Sequence, residues 1–146
     1  SAMSVQIATN ALATVLETVQ NLPPQFRVFR IPPTSLTSAD LPAAVIMHRG
    51  GEFTWHATRL ARKQYTFDIV LLIDTAAQQR TQERVQTAQQ LYDTVVDVLL
   101  NAPTLNATID HISTITDSAG YTVIAWSNAE YFCYTLSVSI VIKNIV

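Results

Sequence analysis

His48, His56 and His111 are the three histidines of the chain, and they fall on different segments. No H-x-x-H or H-E-x-x-H spacing brings two of them to one helix face, so each reads as an ordinary surface or half-buried histidine and not as a metal ligand. Cys133 is the single cysteine. It admits no internal disulfide, and no basic neighbour lowers its pKa, so a buried or interfacial thiol is expected and not a nucleophile. Among the carboxylates, Asp93 and Asp97 stand four residues apart on one helical face with no histidine or lysine close by, the pattern of a solvated face. Asp68 is the one acid inside a strong strand pattern; it either pairs with Arg27 or Arg30 across a sheet or points to water. Gly50-Gly51 follows a strand but has no helix behind it, which is turn chemistry and not a phosphate cradle. The chain has no G-x-S-x-G, P-loop or G-x-G-x-x-G string. Asn106-Ala107-Thr108 fits the glycosylation sequon, which carries no meaning without a secretion signal. These residues imply no catalytic set, no cofactor and no metal.

The densest basic cluster is Arg59, Arg62 and Lys63. Three phosphate contacts give a salt slope of only about −2.7, short of the roughly six to ten contacts of a dedicated DNA binder. With a net charge of −2 there is also no global basic field to draw nucleic acid. Charged residues make up 14% of the chain, against about 25% in ordinary soluble domains. A surface so poor in charge is wetted by Gln, Thr, Ser and Asn, covered by another chain, or both. No apolar run approaches the ~18 residues of a membrane span, and no charged start precedes an apolar block, so neither a span nor a signal peptide is expected. Ser1-Ala2-Met3 reads as a cloning remnant ahead of an initiator Met3, with a single domain over residues 4–146.

The elements that position these residues are organised around Tyr65–Asp74, where Tyr65, Phe67, Ile69, Leu71 and Ile73 alternate with Thr66, Asp68, Val70 and Leu72. Period two predicts a strand with one buried face; the far face turns apolar only at Val70 and Leu72, so the strand is half wet at its start and central at its end. Thr81–Leu100 follows, with Val85, Ala88, Leu91, Tyr92, Val95, Val98 and Leu99 at helical spacing. Thr81 is its expected N-cap, Glu83 suits the first turn, and Asn101 and Pro103 supply the stop.

A first helix from Ser4 carries the apolar stripe Val5, Ala8, Leu12, Val15, Leu16, Val19 and Leu22, ended by Pro23-Pro24. Arg27–Ile31 and Ala43–His48 read as strands. Phe53 and Trp55 alternate with Thr54 and His56, and the stretch from His56 to Lys63 suggests a mobile loop, so 43–74 forms one long hairpin. Phe53 and Trp55 either project on this arm as a contact surface or fold back onto the core. Thr108–Thr116, with Ile109, His111, Ser113 and Ile115 on one side, and Tyr121–Trp126 are further strands. In the last one Phe132, Tyr134, Leu136, Val138, Ile140 and Ile142 alternate with Cys133, Thr135, Ser137 and Ser139. The order predicts an α+β domain: a mostly antiparallel sheet, two helices packed on one face, and a long projecting β-hairpin.

This layout resembles the tail terminator (tail-to-head joining) proteins of long-tailed bacteriophages. The likeness rests on the opening helix, on Asp40-Leu41-Pro42-Ala43-Ala44-Val45-Ile46 leading into a strand, and on the long hairpin before Tyr65–Ile73. It continues through the long helix ending at Asn101-Ala102-Pro103 and the alternating strand Tyr131–Ile142. The chain departs from the acidic members of that family in carrying Arg59, Arg62 and Lys63 near the hairpin tip. The resemblance implies a structural, non-enzymatic virion protein of the tail or neck, assembled in the host cytoplasm. Its copies would form a ring, in that family usually a hexamer, that caps the last ring of tail-tube protein, stops polymerisation and presents a docking face to the head–tail connector protein. DNA would only pass through the ring, and no membrane is involved. Phe53, Trp55, Arg59, Arg62 and Lys63 are the expected protein–protein contacts on the arm. The alternatives are another head–tail connector or tail-completion component, a small ligand-binding or enzymatic α+β domain, and a ring-forming nucleic-acid binder.

Overall fold

The structure, a computed structural model, describes residues 4–18 and 26–145. The expected helix residues Val19 and Leu22, the Pro23-Pro24 stop, the leading Ser1-Ala2-Met3 and the side chain of His56 lie outside the described residues. In chain order the elements are helix α1 (Ser4–Glu17), strands β1 (Arg27–Phe29), β2 (Ala43–Ala57) and β3 (Leu60–Thr75), helix α2 (Gln82–Leu100), and strands β4 (His111–Thr116), β5 (Thr122–Trp126) and β6 (Ala129–Ile145). The sheet order is β1-β2-β3-β6-β4, with β5 pairing β6 alongside β4. Only the β1–β2 pair is parallel among these; the others are antiparallel. The fold is α+β.

β3 is central because its residues are apolar on both sides where the sheet is thickest. Phe67, Ile69 and Leu71 enter the main core with Leu136, Val138 and Ile140 of β6, under Ala8, Leu12 and Leu16 of α1 and Ala88, Leu91, Val95 and Leu99 of α2. Both helices therefore lie on one face. Each of the leucine, isoleucine, valine and phenylalanine side chains among these core residues contributes on the order of 1.5–3 kcal/mol as an upper bound. Phe132 and Ile142, at the two ends of the β6 alternation, are only half-buried. α2 begins as its sequence suggests: the Thr81 hydroxyl accepts from the Arg84 amide at 3.2 Å, and Asn101 closes the helix.

Val70 and Leu72 face the other way, into a second cluster with Leu41, Val45, Tyr131 and Cys133. The connection between β1 and β2 covers it. Leu36 packs there, the Trp126 indole N–H donates to the Pro33 carbonyl at 3.0 Å, and the Tyr131 hydroxyl to the Leu36 carbonyl at 3.3 Å. The Leu41–Pro42 peptide that ends this strap is cis. This strap, polar at Ser35, Thr37 and Ser38, buries the back of the sheet at its base.

Several expectations are corrected. Residues 56–63 are not a mobile loop: β2 and β3 stay paired to Ala57–Leu60, leaving only Thr58-Arg59 as the turn, with Arg59 at φ 67°. β6 does not stop at Ile142. It pairs with β3 as far as Leu60–Ile145, so the arm is a three-stranded ribbon and not a lone hairpin. β4 starts at His111, and its register slips between Ile112 and Thr114. Ile112 and Ile115 therefore pack on the core while His111 is exposed. Asp68 pairs with neither Arg27 nor Arg30; the Arg49 guanidinium donates to it at 2.7 Å. Arg27 instead meets Asp40 at 2.9 Å, and Arg30 meets Glu17 at 2.8 Å.

A second register slip, between His48 and Gly50 of β2, leaves Arg49 as a bulge. Gly50 pairs Thr66, Thr66 pairs Ser139, and Ser139 pairs Thr114, so the β2 and β4 irregularities share one row across the sheet. A bulge bends its strand and raises the local twist. The arm leaves the body at this row.

Candidate interaction surface

On the helix side of the arm, Gly51 stands opposite Tyr65, Phe53 opposite Lys63, and Trp55 opposite Ala61. Side chains opposite each other share a face. Phe53, Trp55 and Lys63 are therefore presented together, beyond the end of the helices. Phe53 is 63% exposed and Trp55 is 73% exposed. Phe53 does not reach the core; its ring meets Tyr65 edge-on with centroids 5.7 Å apart. Gly51 makes room for that contact: a Cβ there would stand 3.0 Å from the Gln64 carbonyl oxygen and 3.1 Å from the Phe53 ring tip. Two neighbouring aromatics left in water are the kind of feature that anchors protein contacts.

The arm cations divide between the two faces. Arg62 stands opposite Lys143, on the face turned away from Phe53 and Trp55, and donates to the Gln64 side-chain oxygen at 3.0 Å. Arg59 sits in the turn. The structure thus brings Phe53, Trp55 and Lys63 into one patch and leaves Arg62 and Arg59 outside it. Gly50-Gly51, expected to be a turn, lies inside β2 because β2 runs through it to Ala57; Gly51 and Tyr65 complete the surroundings of the patch, and Lys143 stands with Arg62 on the other face. The alternation Tyr65-Phe67 already put Tyr65 on a defined face, but nothing local marked Lys143 as the neighbour of Arg62 across the sheet. β2 also has an uncovered edge along the arm, since β1 pairs it only at Ala43–Val45.

The remaining chemistry-bearing groups are structural. His48 lies against the rings of Tyr65 and Phe67, with Nε2 2.9 Å from the Gly50 carbonyl. Cys133 is buried, and burial pushes its thiol pKa up. No group of three or more His, Cys, Asp or Glu that could hold a metal occurs among the described residues. A broad open cleft lies between the first half of α2 and the ends of β3 and the strap, with Asp74, Glu83 and Arg84 on its walls. Asp74 and Arg84 pair there at 3.4 Å, both partly in water, an arrangement worth about 0–1 kcal/mol. The Phe53–Trp55 limb takes no part in it.

The most perturbed pair is Tyr92–Asp117. The Tyr92 hydroxyl donates to Asp117 Oδ2 at 2.7 Å, and burial first, then that bond to a carboxylate, raises the phenol pKa to about 12. Burial works against the ionised Asp117, but the Tyr92 hydroxyl and the Gly120 and Ala119 amides outweigh it and hold the carboxyl below its ordinary value. Tyr92 also packs on Tyr134, and Tyr121 on Tyr134 and Phe132, with Arg80 over the Tyr121 and Phe132 rings. This cluster ties α2 to β5 and β6.

No helix among the described residues is long and apolar enough to cross a membrane. No protein-family model matches the chain, and comparison with curated proteins finds no match.

Proposed function

We propose that the chain is a structural subunit that assembles with its own copies into a ring and works as a tail terminator, capping a tail tube and offering a docking face to a head–tail connector. The reading comes from the layout resemblance described above. The observation that carries it is the three-stranded arm with Phe53 and Trp55 63% and 73% exposed, a limb whose aromatic end is left largely in water. A projecting limb meeting a different surface on the next copy is a heterologous contact, and such contacts close into rings when the rotation divides a full turn. Charged residues at 14% suit a subunit that buries much of its surface. The site of action is then the neck of a virion, after assembly in the host cytoplasm, with DNA only passing through.

The test is light scattering of the purified chain, alone and with assembled cognate tail tubes, together with electron microscopy of tube lengths. A ring on tube ends and arrested elongation are the expected result. A chain that stays monomeric and leaves tube growth unchanged refutes the proposal.

A further inference from the structure

The charges of the chain are unevenly placed. Residues 50–63 hold Arg59, Arg62 and Lys63 against the single acid Glu52, a balance of +2 on a chain of net charge −2, which leaves −4 for the remainder. The ion pairs of the fold absorb Glu17, Asp40, Asp68 and Asp74, and Asp117 is engaged by Tyr92. Asp93 and Asp97 are in none of these pairs. Both are exposed on α2, and Leu100, three residues past Asp97, is 62% exposed. Positions 93, 97 and 100 share one helical stripe. The arm face carries two aromatics and a lysine; the α2 stripe carries two acids and a leucine.

Within one copy these two surfaces cannot meet. Ala88, Leu91, Val95 and Leu99 put the opposite side of α2 on the sheet, so the stripe looks outward while the arm runs on beyond the helices.

We propose that the partner of the arm is a second copy of this chain: Phe53 and Trp55 of one copy lie on Leu100 of the next, and Lys63 faces Asp97 and Asp93. The contact rests on the ring reading above and names its interface. It is heterologous, so each copy gives an arm and receives one. Complementary charge steers such an encounter and fixes its register, while the apolar pair supplies the area.

The experiment is sedimentation of the full chain over a concentration series, at low salt and at 1 M salt, for wild type, Lys63→Glu, Trp55→Ser, Asp97→Lys and the double variant Lys63→Glu/Asp97→Lys. Thermal melts accompany each to confirm folding, and Asp93→Lys is an independent reversal on the receiving stripe. Self-association weakened at least tenfold in each single variant, and restored to within threefold of wild type in the double variant, is the expected result. Wild-type association should also weaken at 1 M salt, where the screening length falls to about 3 Å. Rings that form normally in every variant, or a double variant no better than its parents, overturn this contact and leave the ring reading standing. A wild-type chain that stays monomeric throughout this series overturns the contact, and the ring falls with it only if the chain also leaves tail-tube growth unchanged.

Discussion

Replacing Tyr92 by Phe removes one hydroxyl and little volume, and it isolates the Tyr92–Asp117 bond of 2.7 Å. A hydrogen bond to a charged group is worth about 1.5–3 kcal/mol. Asp117 keeps the amides of Gly120 at 2.8 Å and Ala119 at 3.2 Å, so the loss at pH 7 should fall at the lower end, about 1.5 kcal/mol. The pH dependence is more diagnostic. A phenol raised from 10.0 to about 12 in the folded state stays protonated while the unfolded chain releases its proton. The folded form then binds more protons, and stability falls as pH rises from about 10 towards 12. Two pKa units correspond to roughly 2.7 kcal/mol; partial exposure of the ring cuts this to about 1–2 kcal/mol. On the acid side the sign reverses. Asp117, depressed in the fold, contributes stability above its unfolded pKa of about 3.9, and that contribution is lost as pH falls through its folded value. The difference between wild type and Tyr92→Phe should therefore be largest between about pH 4 and pH 10 and shrink at both ends. Urea unfolding at pH 3, 7 and 11 measures it. A difference that is flat across pH, or below about 0.5 kcal/mol at neutrality, refutes the reasoning, since a bond to a charged group is worth more than that.

Leu136→Ala, at a position 1% exposed beneath both helices, should cost about 2–5 kcal/mol in denaturant unfolding. Gly51→Ala should cost about 1–3 kcal/mol, because its methyl meets the Gln64 carbonyl oxygen that the strand pairing fixes and pushes on the Phe53 ring; altered ring shifts of Phe53 and Tyr65 in the NMR spectrum would report the displacement. Cys133 should resist a disulfide reagent in the native protein and react on unfolding, its burial both blocking access and raising its pKa.

Much of the body was legible in the chain. β3 announced itself by strict alternation, and Val70 and Leu72 marked where its second face goes under cover. α2 carried its stripe, its Thr81 cap and its Asn101 stop. The arm was less legible, for a physical reason. Counted by twos from Ala44, Ile46 and His48, the residues Phe53 and Trp55 fall on the back of the sheet; Arg49, one bulged residue, moves them to the helix side. A single inserted residue inverts every later side chain and leaves no periodic signal. The slip between Ile112 and Thr114 misplaced His111 and Ser113 in the same way. The strand from Leu60 to Lys63 hid behind its charges because strand partners, not local composition, decide a ribbon of this kind. The strap over Val70, Leu72 and Cys133 is set by two hydrogen bonds spanning 93 and 95 residues, distances no local pattern reports.

The aligned irregularities at the Thr66–Ser139 row separate what the limb carries from where it aims. His48 already pairs Phe67 and Gly50 already pairs Thr66, with Arg49 squeezed out between them. Excising Arg49 would take its ion pair from Asp68 and relax the bend of β2, while every backbone pairing, and every aromatic or basic group past it, kept its partner. Steering is written in one looped-out amide, and adhesion in the side chains beyond, so a lineage of such chains is free to alter bearing and grip independently.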